Sequence, residues 1–231
     1  SWISSRTASM RGRPPMAKPN GCTPAFLADC CRKSGFETTP EQAGQLSAYL
    51  TLLMQWNKVM NLVGARHWRD ALENLVLDSF HLERFLRDEV LPALPDAPVS
   101  WDLGSGAGLP GIPLRILWNA GEYWMVESRD KRTIFLSTVL ARSPLAGTHV
   151  HRGRAEQFMD GRKADLIVSR AFMPWKEMLA FVKGHLNPGG RVVFLTLEEL
   201  KAEEGMGWRS AGHASYVSGR DTRHFCAFTE A

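Results

Sequence analysis

Long apolar runs are absent from this chain of 231 residues. A membrane-spanning helix needs about 18 or more consecutive apolar residues, and no stretch approaches that length. The first 20 residues also lack the apolar segment of a secretory signal, so we expect a cytoplasmic protein without membrane association. Its composition, with 44% hydrophobic and 23% charged residues, is typical of a globular protein with a sizeable core.

Cysteine is scarce, and its spacing excludes two kinds of site. The four cysteines, Cys22, Cys30, Cys31 and Cys226, form no C-x-x-C pair. Zinc sites commonly use C-x-x-C pairs, and the adjacent Cys30 and Cys31 are poorly placed to bridge each other. We therefore expect reduced thiols, no structural disulfide and no metal site.

Acidic residues are absent from the first 20 positions, which contain Arg6, Arg11, Arg13 and Lys18. The remaining chain carries 24 basic and 24 acidic residues, so the net charge of +4 and the pI of about 9.0 are properties of this tail. We expect residues 1–22 to be a disordered basic tail, compatible with nucleic acid but no argument for it.

Helix start signals follow the tail. Thr23-Pro24 and Thr39-Pro40 each combine a capping hydroxyl with a proline at the first helical position, and Gln42 completes a capping box. A third helix is predicted for residues 68–86. We expect residues 23–97 to form a helical layer that ends in the proline-rich stretch LPALPDAP.

From Val99 onward, predicted strands alternate with predicted helices. This alternation is typical of an α/β fold whose mostly parallel sheet has helices on both faces. The last 30 residues are expected to add antiparallel strands, and residues 98–231 to pack with the helical layer as one globular unit. The predicted strands are residues 99–104, 122–127, 148–153, 164–170 and 191–197, then 213–218 and 223–228; the helices follow Pro110 and cover residues 131–142 and 175–186.

The stretch VSWDLGSGAGLPGIP (99–113) contains two overlapping glycine motifs. G-x-G-x-x-G, beginning at Gly106, is typical of dinucleotide sites, whereas D-x-G-x-G-x-G, beginning at Asp102, is typical of S-adenosylmethionine sites. In both cases the glycines let the chain turn tightly after a strand and bring backbone amides close to a ligand. The motif alone therefore leaves both ligands open.

The surrounding sequence favours the methyl donor. The strand is predicted to end at Leu103, so the turn begins at Gly104, earlier than a dinucleotide motif requires. Asp102 is then placed to order the loop or to reach the ligand through water. Glu127, at the next strand end, can accept both ribose hydroxyls of either ligand. Beyond the fifth strand we expect a hairpin, whereas a dehydrogenase would need a second domain.

Six motifs resemble those of a known family and occur in the same order. They resemble the RsmG (GidB) family, the bacterial 16S rRNA guanine-N7 methyltransferases, over about residues 40–197. The resemblance implies a class I S-adenosylmethionine-dependent methyltransferase fold, Rossmann-like, with an N-terminal helical extension. It implies methyl transfer to a guanine N7 of 16S rRNA, as naked RNA or in a small-subunit assembly particle, and we expect a monomer. The motifs are WNKVMNL (56–62), LDS (77–79), DLGSGAGLPGIPL (102–114), ES-x-x-KR (127–132), RAEQF (154–158) and SRAF (169–172).

The resemblance also implies site residues. Gly104 and Leu109 would line the cofactor, Ala155-Glu156 would meet its adenine, and Arg170 would belong to the same pocket. Asn61 and Arg132 are expected to position the substrate; a buried, structural asparagine is the alternative for the first. The predicted cofactor-binding set comprises Asp102, Gly104, Gly106, Gly108, Leu109, Glu127, Ala155, Glu156 and Arg170.

The sequence lacks the motifs of two other kinds of methyltransferase. No N/D-P-P-Y sequence of amino-group methylation follows the fourth strand, and no Pro-Cys nucleophile is present. Guanine N7 has a lone pair and no proton to lose, so alignment replaces a general base and no catalytic side chain is assigned. Basic residues at 129–132 and 151–154 are either RNA contacts or ordinary solvated charge.

Two positions differ from many members of the resembled family. Leu75 stands where these carry His, and Glu198 stands where they often carry Lys. Both changes concern RNA contacts and activity more than the fold. The alternative function is therefore a methyltransferase-like protein that binds S-adenosylmethionine, with a different substrate or reduced activity.

Overall fold

The computed structural model describes residues 21–231. All but the last two positions of the predicted basic tail therefore lie outside the described residues. Helix α1 (Pro24–Lys33) and helix α2 (Pro40–Met60) begin where the capping signals predict. The Thr23 hydroxyl accepts a hydrogen bond from the Phe26 amide at 3.2 Å. Both hydrogen bonds of the capping box between Thr39 and Gln42 are present, at 3.0 and 3.1 Å.

The third predicted helix is longer than expected and irregular. Helical structure starts at Trp68 as predicted but continues to Ala93, and two of its segments have the wider turns of a π-helix. The proline-rich stretch begins inside its last turn, with Pro92, and the chain becomes extended at Leu94. The segments are α3 (Trp68–Ala71), π-helical Leu72–Val76, α4 (Leu77–Phe85), π-helical Leu86–Val90 and the 3-10 turn Leu91–Ala93.

Within residues 21–231, seven strands form one sheet in the order β3-β2-β1-β4-β5-β7-β6. The first five strands pair in parallel, while β7 runs antiparallel to β5 and β6 antiparallel to β7. The predicted mostly parallel sheet and C-terminal hairpin are therefore confirmed. The strands are β1 (Val99–Leu103), β2 (Glu122–Glu127), β3 (Thr148–Arg152), β4 (Ala164–Ser169), β5 (Leu186–Thr196), β6 (Trp208–Ser218) and β7 (Asp221–Glu230).

Helices cover both faces of the sheet. Along β4, Leu166 and Val168 point into one apolar core and Ile167 into the other, as the two-residue period of a strand requires. The first core contains residues of α1, α2 and α4 together with α5 (Gly111–Leu117) and α6 (Asp130–Arg142). The second contains α7 (Ala155–Met159) and α8 (Trp175–Val182).

Several boundaries and one helix differ from the predictions; both hairpin strands, for example, are longer than predicted. Helix α8 ends at Val182 instead of residue 186, because Gly184 has a φ of +82° and donates its amide to Glu230 at 2.7 Å. Strand β5 already begins at Leu186, and the predicted turn at residues 187–190 is a bulge within it. The short helix α7 was not predicted. Among residues 21–231, no helix combines the length and apolar character needed to span a membrane.

Candidate active site

The glycine loop joins β1 to α5 at the carboxyl edge of the sheet. Strand β1 ends at Leu103, as the turn motif predicts and one residue before the end of the predicted strand 99–104, and Gly104 follows with a φ of +72°. A Cβ atom at Gly104 would collide with the ring of Phe172, and one at Gly108 would lie 2.6 Å from Ile112 Cγ1. Close packing on both sides therefore requires glycine at these two positions.

Glu127 connects the loop to the end of β2. Its carboxylate accepts hydrogen bonds from the backbone amides of Gly106, at 2.9 Å, and Arg129, at 3.2 Å. The side chain is buried, yet it also lines a cavity beside the loop. Each carboxylate oxygen can accept more than one hydrogen bond, so Glu127 can order the loop and still bind hydroxyl groups in the cavity.

Asp102 lies beneath the loop instead of in the cavity wall. It is 2% exposed, accepts a hydrogen bond from the Tyr123 hydroxyl at 3.2 Å, and lies against Gly111 at the start of α5. Burial raises its pKa to about 7, and the nearby Glu127 charge adds to this effect. Of the two roles predicted for Asp102, ordering the loop is the one that matches this position.

A cavity of about 430 Å3 opens beside the loop, and we call it the glycine-loop cavity. Four residues of the predicted cofactor set line it, namely Gly104, Glu127, Ala155 and Glu156. Arg132, from the predicted substrate residues, lines it as well. Gly106, Gly108, Leu109 and Asp102 shape or support the loop without lining this space. Its wall comprises Gly104, Val126–Arg129, Arg132, Gly153–Glu156, Ala171 and Phe172.

Arg170 lies in the wall of a cavity that adjoins the glycine-loop cavity. Its side chain lines a second cavity of about 640 Å3, on the other side of Ala171, instead of the glycine-loop cavity. We call this second space the hairpin cavity, because Tyr216 of β6 and Asp221, Arg223, His224 and Phe225 of β7 form one of its walls. Its other walls come from the SRAF loop, the start of α8 and residues 194–200 at the end of β5.

A buried carboxylate holds the arginines of the hairpin cavity. Asp78, in α4, is 4% exposed and forms ion pairs with Arg223, at 2.5 Å, and Arg170, at 3.5 Å. It also accepts a hydrogen bond from the Tyr216 hydroxyl. Burial raises the pKa of Asp78, whereas the two guanidinium groups oppose that change. This cluster joins three parts of the chain that are far apart in sequence.

Asn61 and Arg132 are brought together, as the prediction of a shared role requires. Asn61 ends α2 in a left-handed conformation with a φ of +49°, and it is exposed, so the buried alternative is wrong. Asn57, which is half-buried, makes the structural contacts instead: its side chain donates to the Ala65 carbonyl and accepts from the Val63 amide. Arg132 lines both the glycine-loop cavity and a third cavity, of about 570 Å3, that contains Asn61.

The two basic patches differ in their surroundings. Arg129, Lys131 and Arg132 all line the third cavity. In the other patch, Arg152 forms an ion pair with Asp130 at 2.7 Å, and Arg154 one with Glu156 at 3.6 Å. The first patch therefore keeps more of its charge available for an anionic partner.

Several residues at these cavities were not predicted. Phe172 and Asp78 lie within the SRAF and LDS motifs, which could have indicated them. No sequence motif indicates Tyr216 or Arg223, because strand alternation alone does not show which residue faces a cavity. Of the two departures from the resembled family, Glu198 lines the hairpin cavity, while Leu75 is half-buried against the helical core.

Comparison with known sequences identifies close relatives. Residues 42–220 match the profile of the GidB family, rRNA small subunit methyltransferase G. The ribosomal RNA small subunit methyltransferase G of Nitratidesulfovibrio vulgaris (strain DP4) is 53% identical over 200 residues, which are 86% of this chain and 90% of that protein. The protein of the same name from Lawsonia intracellularis is 45% identical over 204 residues, covering 87% of this chain and 93% of its own.

Solved structures share the fold at low sequence identity. A putative methyltransferase, YhhF from Escherichia coli, has a TM-score of 0.50 and 16% identity, covering 67% of this chain and 85% of its own. A mutant of MtNAS in complex with S-adenosylmethionine has a TM-score of 0.53 and 14% identity, with coverages of 90% and 89%. Together with the strand order, these likenesses confirm the class I methyltransferase fold.

Proposed function

Since the chain belongs to the GidB (rRNA small subunit methyltransferase G) family, we propose that it transfers a methyl group from S-adenosylmethionine to a guanine N7 of 16S rRNA. The observation that carries the proposal is the glycine-loop cavity, in which the glycine loop and the Glu127 carboxylate face the same space. This cavity lies at the carboxyl ends of parallel strands, where α/β sheets bind their ligands. The 16S rRNA, naked or in a small-subunit particle, is the proposed partner.

The residues of the cavity fit the proposed cofactor. Glu127 is buried, and its oxygens retain acceptor capacity for the two hydroxyl groups of a ribose. Gly104, Ala155 and Glu156 bring backbone and small side chains to the cavity wall, where an adenosine group needs close approach. When bound, S-adenosylmethionine supplies a methyl group on a positively charged sulfur.

The chain's own contribution to the reaction is positioning. Guanine N7 carries no proton, so its attack requires an aligned lone pair and no general base. Ala171 lines both the glycine-loop cavity and the hairpin cavity, so groups held in the two spaces meet at the SRAF loop. Asn61 and the basic residues of the third cavity would hold the RNA backbone on the same side of the sheet.

The experiment measures transfer of labelled methyl groups to 16S rRNA from a bacterial strain that lacks the equivalent methyltransferase. Naked rRNA and isolated small subunits are assayed separately, and mass spectrometry of the digested RNA identifies the modified nucleoside. We expect 7-methylguanosine. Label in another nucleoside, or transfer to neither form of the rRNA, would contradict the proposal.

Two glutamates of strand β2 offer a matched pair of variants for the cofactor site. Glu127→Gln removes the charge that holds Gly106 and faces the cavity, so we expect a large loss of S-adenosylmethionine affinity in calorimetric titration. Glu122→Gln alters the opposite end of the strand, where the side chain is exposed and contacts His149. Equal affinities in the two variants would refute the assignment of Glu127 to the cofactor.

A further inference from the structure

The third cavity adjoins the glycine-loop cavity, and the two spaces share part of their wall. Ser128, Arg129 and Arg132 line both spaces, and we call these three residues the shared wall. Lys131, by contrast, lines the third cavity and not the glycine-loop cavity. A ligand in either space therefore meets arginine side chains that also face the other space.

The positive charge around the third cavity is not paired within the described part of the chain. Among residues 21–231, the side chains of Arg129, Lys131 and Arg132 form no hydrogen bond and no ion pair. Asp130, the acidic residue that lines the third cavity, pairs with Arg152 at 2.7 Å. Positive charge is unfavourable at the start of a helix, which is where these residues lie in α6. Helix stability therefore does not account for these charges, whereas an anionic partner does.

Glu127 fixes the shared wall to the glycine loop. Its Oε1 accepts a hydrogen bond from the Arg129 amide at 3.2 Å, and its Oε2 accepts one from the Gly106 amide at 2.9 Å. The half-buried Arg132 reaches over the same loop, since a Cβ atom on Gly106 would lie 3.8 Å from its Nη1. These contacts keep both arginines beside the space assigned to the cofactor.

We propose, on the basis of the proposed function, that RNA phosphates in the third cavity neutralise Arg129 and Arg132 and thereby strengthen binding of the positively charged methyl donor. S-adenosylmethionine carries one more positive charge than its demethylated product. Without RNA the shared wall opposes that charge, because like charges repel more strongly in a cavity wall than in bulk water. The coupling is reciprocal, so the methyl donor strengthens RNA binding by the same factor. The RNA-bound protein therefore prefers the methyl donor to the spent cofactor.

Two unreactive ligands isolate the effect of charge. S-adenosylhomocysteine is the demethylated product, and sinefungin is an analogue with an ammonium group in place of the methyl group on sulfur. Equilibrium dialysis at constant ionic strength measures the affinity of the full chain for each ligand, with and without a saturating amount of the rRNA form that it methylates. Dialysis against rRNA alone is the blank. We expect rRNA to tighten the binding of sinefungin by about fivefold or more, and that of S-adenosylhomocysteine by a smaller factor.

Three variants of α6 locate the coupling. Arg132→Met should bind sinefungin without RNA at least as tightly as the unmodified protein, because a repelling charge is lost, and rRNA should then add little. Lys131→Met removes a charge from the third cavity alone. It should make the slope of log K for RNA binding against log salt concentration shallower by about 0.7 to 0.9 and keep most of the coupling. Arg142→Met, an exposed position at the other end of α6, should behave as the unmodified protein in both measurements.

The possible failures can be told apart. An unmodified protein that methylates no 16S rRNA refutes the proposed function, and this inference with it. An active protein refutes the inference but not the proposed function if rRNA leaves its affinity for sinefungin unchanged, or changes its affinity for both ligands equally. Weaker binding of sinefungin by Arg132→Met in the absence of rRNA would show that Arg132 attracts the cofactor, and would overturn the inference as well.

Discussion

Replacing Asp102 by asparagine should remove part of the pH dependence of folding. Burial under the glycine loop raises the pKa of Asp102 from 3.8 to about 7; the Tyr123 hydrogen bond and Arg170 lower it, and Glu127 raises it further. The folded protein therefore holds a proton that the unfolded chain releases in this range. Its stabilising contribution is complete below pH 3.8 and is lost as the pH rises through about 7.

The size of the effect follows from the same values. Between the two pKa values the free energy of unfolding falls by about 1.4 kcal/mol per pH unit. From pH 5 to pH 7 this group alone costs about 2 kcal/mol of stability, because protonation is already incomplete near its folded pKa. In Asp102→Asn the neutral amide keeps the shape of the side chain without titrating, so the variant should gain stability relative to the unmodified protein as the pH rises.

Urea unfolding at pH 5, 6 and 7, followed by tryptophan fluorescence at constant ionic strength, measures this difference. Asp78, whose pKa burial also raises, is present in both proteins and does not affect the comparison. Asp96→Asn serves as the control, because Asp96 is exposed on the loop before β1. Parallel pH profiles for Asp102→Asn and the unmodified protein would refute the assignment of a buried, protonated carboxyl beneath the loop.

Three further predictions concern the loop, the ligand and the tail. In Gly104→Ala the left-handed backbone alone should lower the free energy of unfolding by about 1–2 kcal/mol, and the variant should also bind S-adenosylmethionine more weakly. Adding Phe172→Ala should restore part of both losses, as measured by denaturation and calorimetry. A single Gly104→Ala variant with unchanged stability and affinity would contradict the close packing. Calorimetric titration should detect binding of S-adenosylmethionine or its demethylated product and no binding of NAD. Binding of NAD without binding of the methyl donor would exclude a methyl-donor site. A protein without residues 1–20 should still methylate at low salt. If all four charges contact phosphates, the slope of log K for RNA binding against log salt concentration should become shallower by up to about 3. Complete loss of low-salt activity in a folded, cofactor-bound protein would show that the tail recognises RNA specifically.

The sequence predicts where a helix or strand begins or ends when that boundary depends on residues close together in the chain. The starts of α1 and α2 depend on Thr23 and Thr39, whose side chains bond to amides three residues away. The end of β1 and the turn at Gly104 likewise depend on adjacent residues. The end of α8 was misplaced because Gly184 acts together with Glu230, which is distant in sequence.

The candidate site shows the same division. Glu127 and Ala155-Glu156 line the glycine-loop cavity because the ends of parallel strands meet at one edge, which the order of elements already implies. Arg170, by contrast, follows β4 at this edge, and nothing near it in sequence shows on which side of Ala171 its side chain lies. Its ion pair with Asp78, at 3.5 Å, decides that question in the folded protein.

The sequence by itself determined the α/β alternation, the glycine loop with Glu127 at the next strand end, and the family to which the chain belongs. These features follow from periodicity, capping and short motifs, which act over a few residues. The tertiary structure alone decided that Asp102 is buried beneath the loop and that Asp78 joins α4, the SRAF loop and the hairpin. Burial and ion pairing depend on which distant segments meet, and only packing of the whole chain settles that.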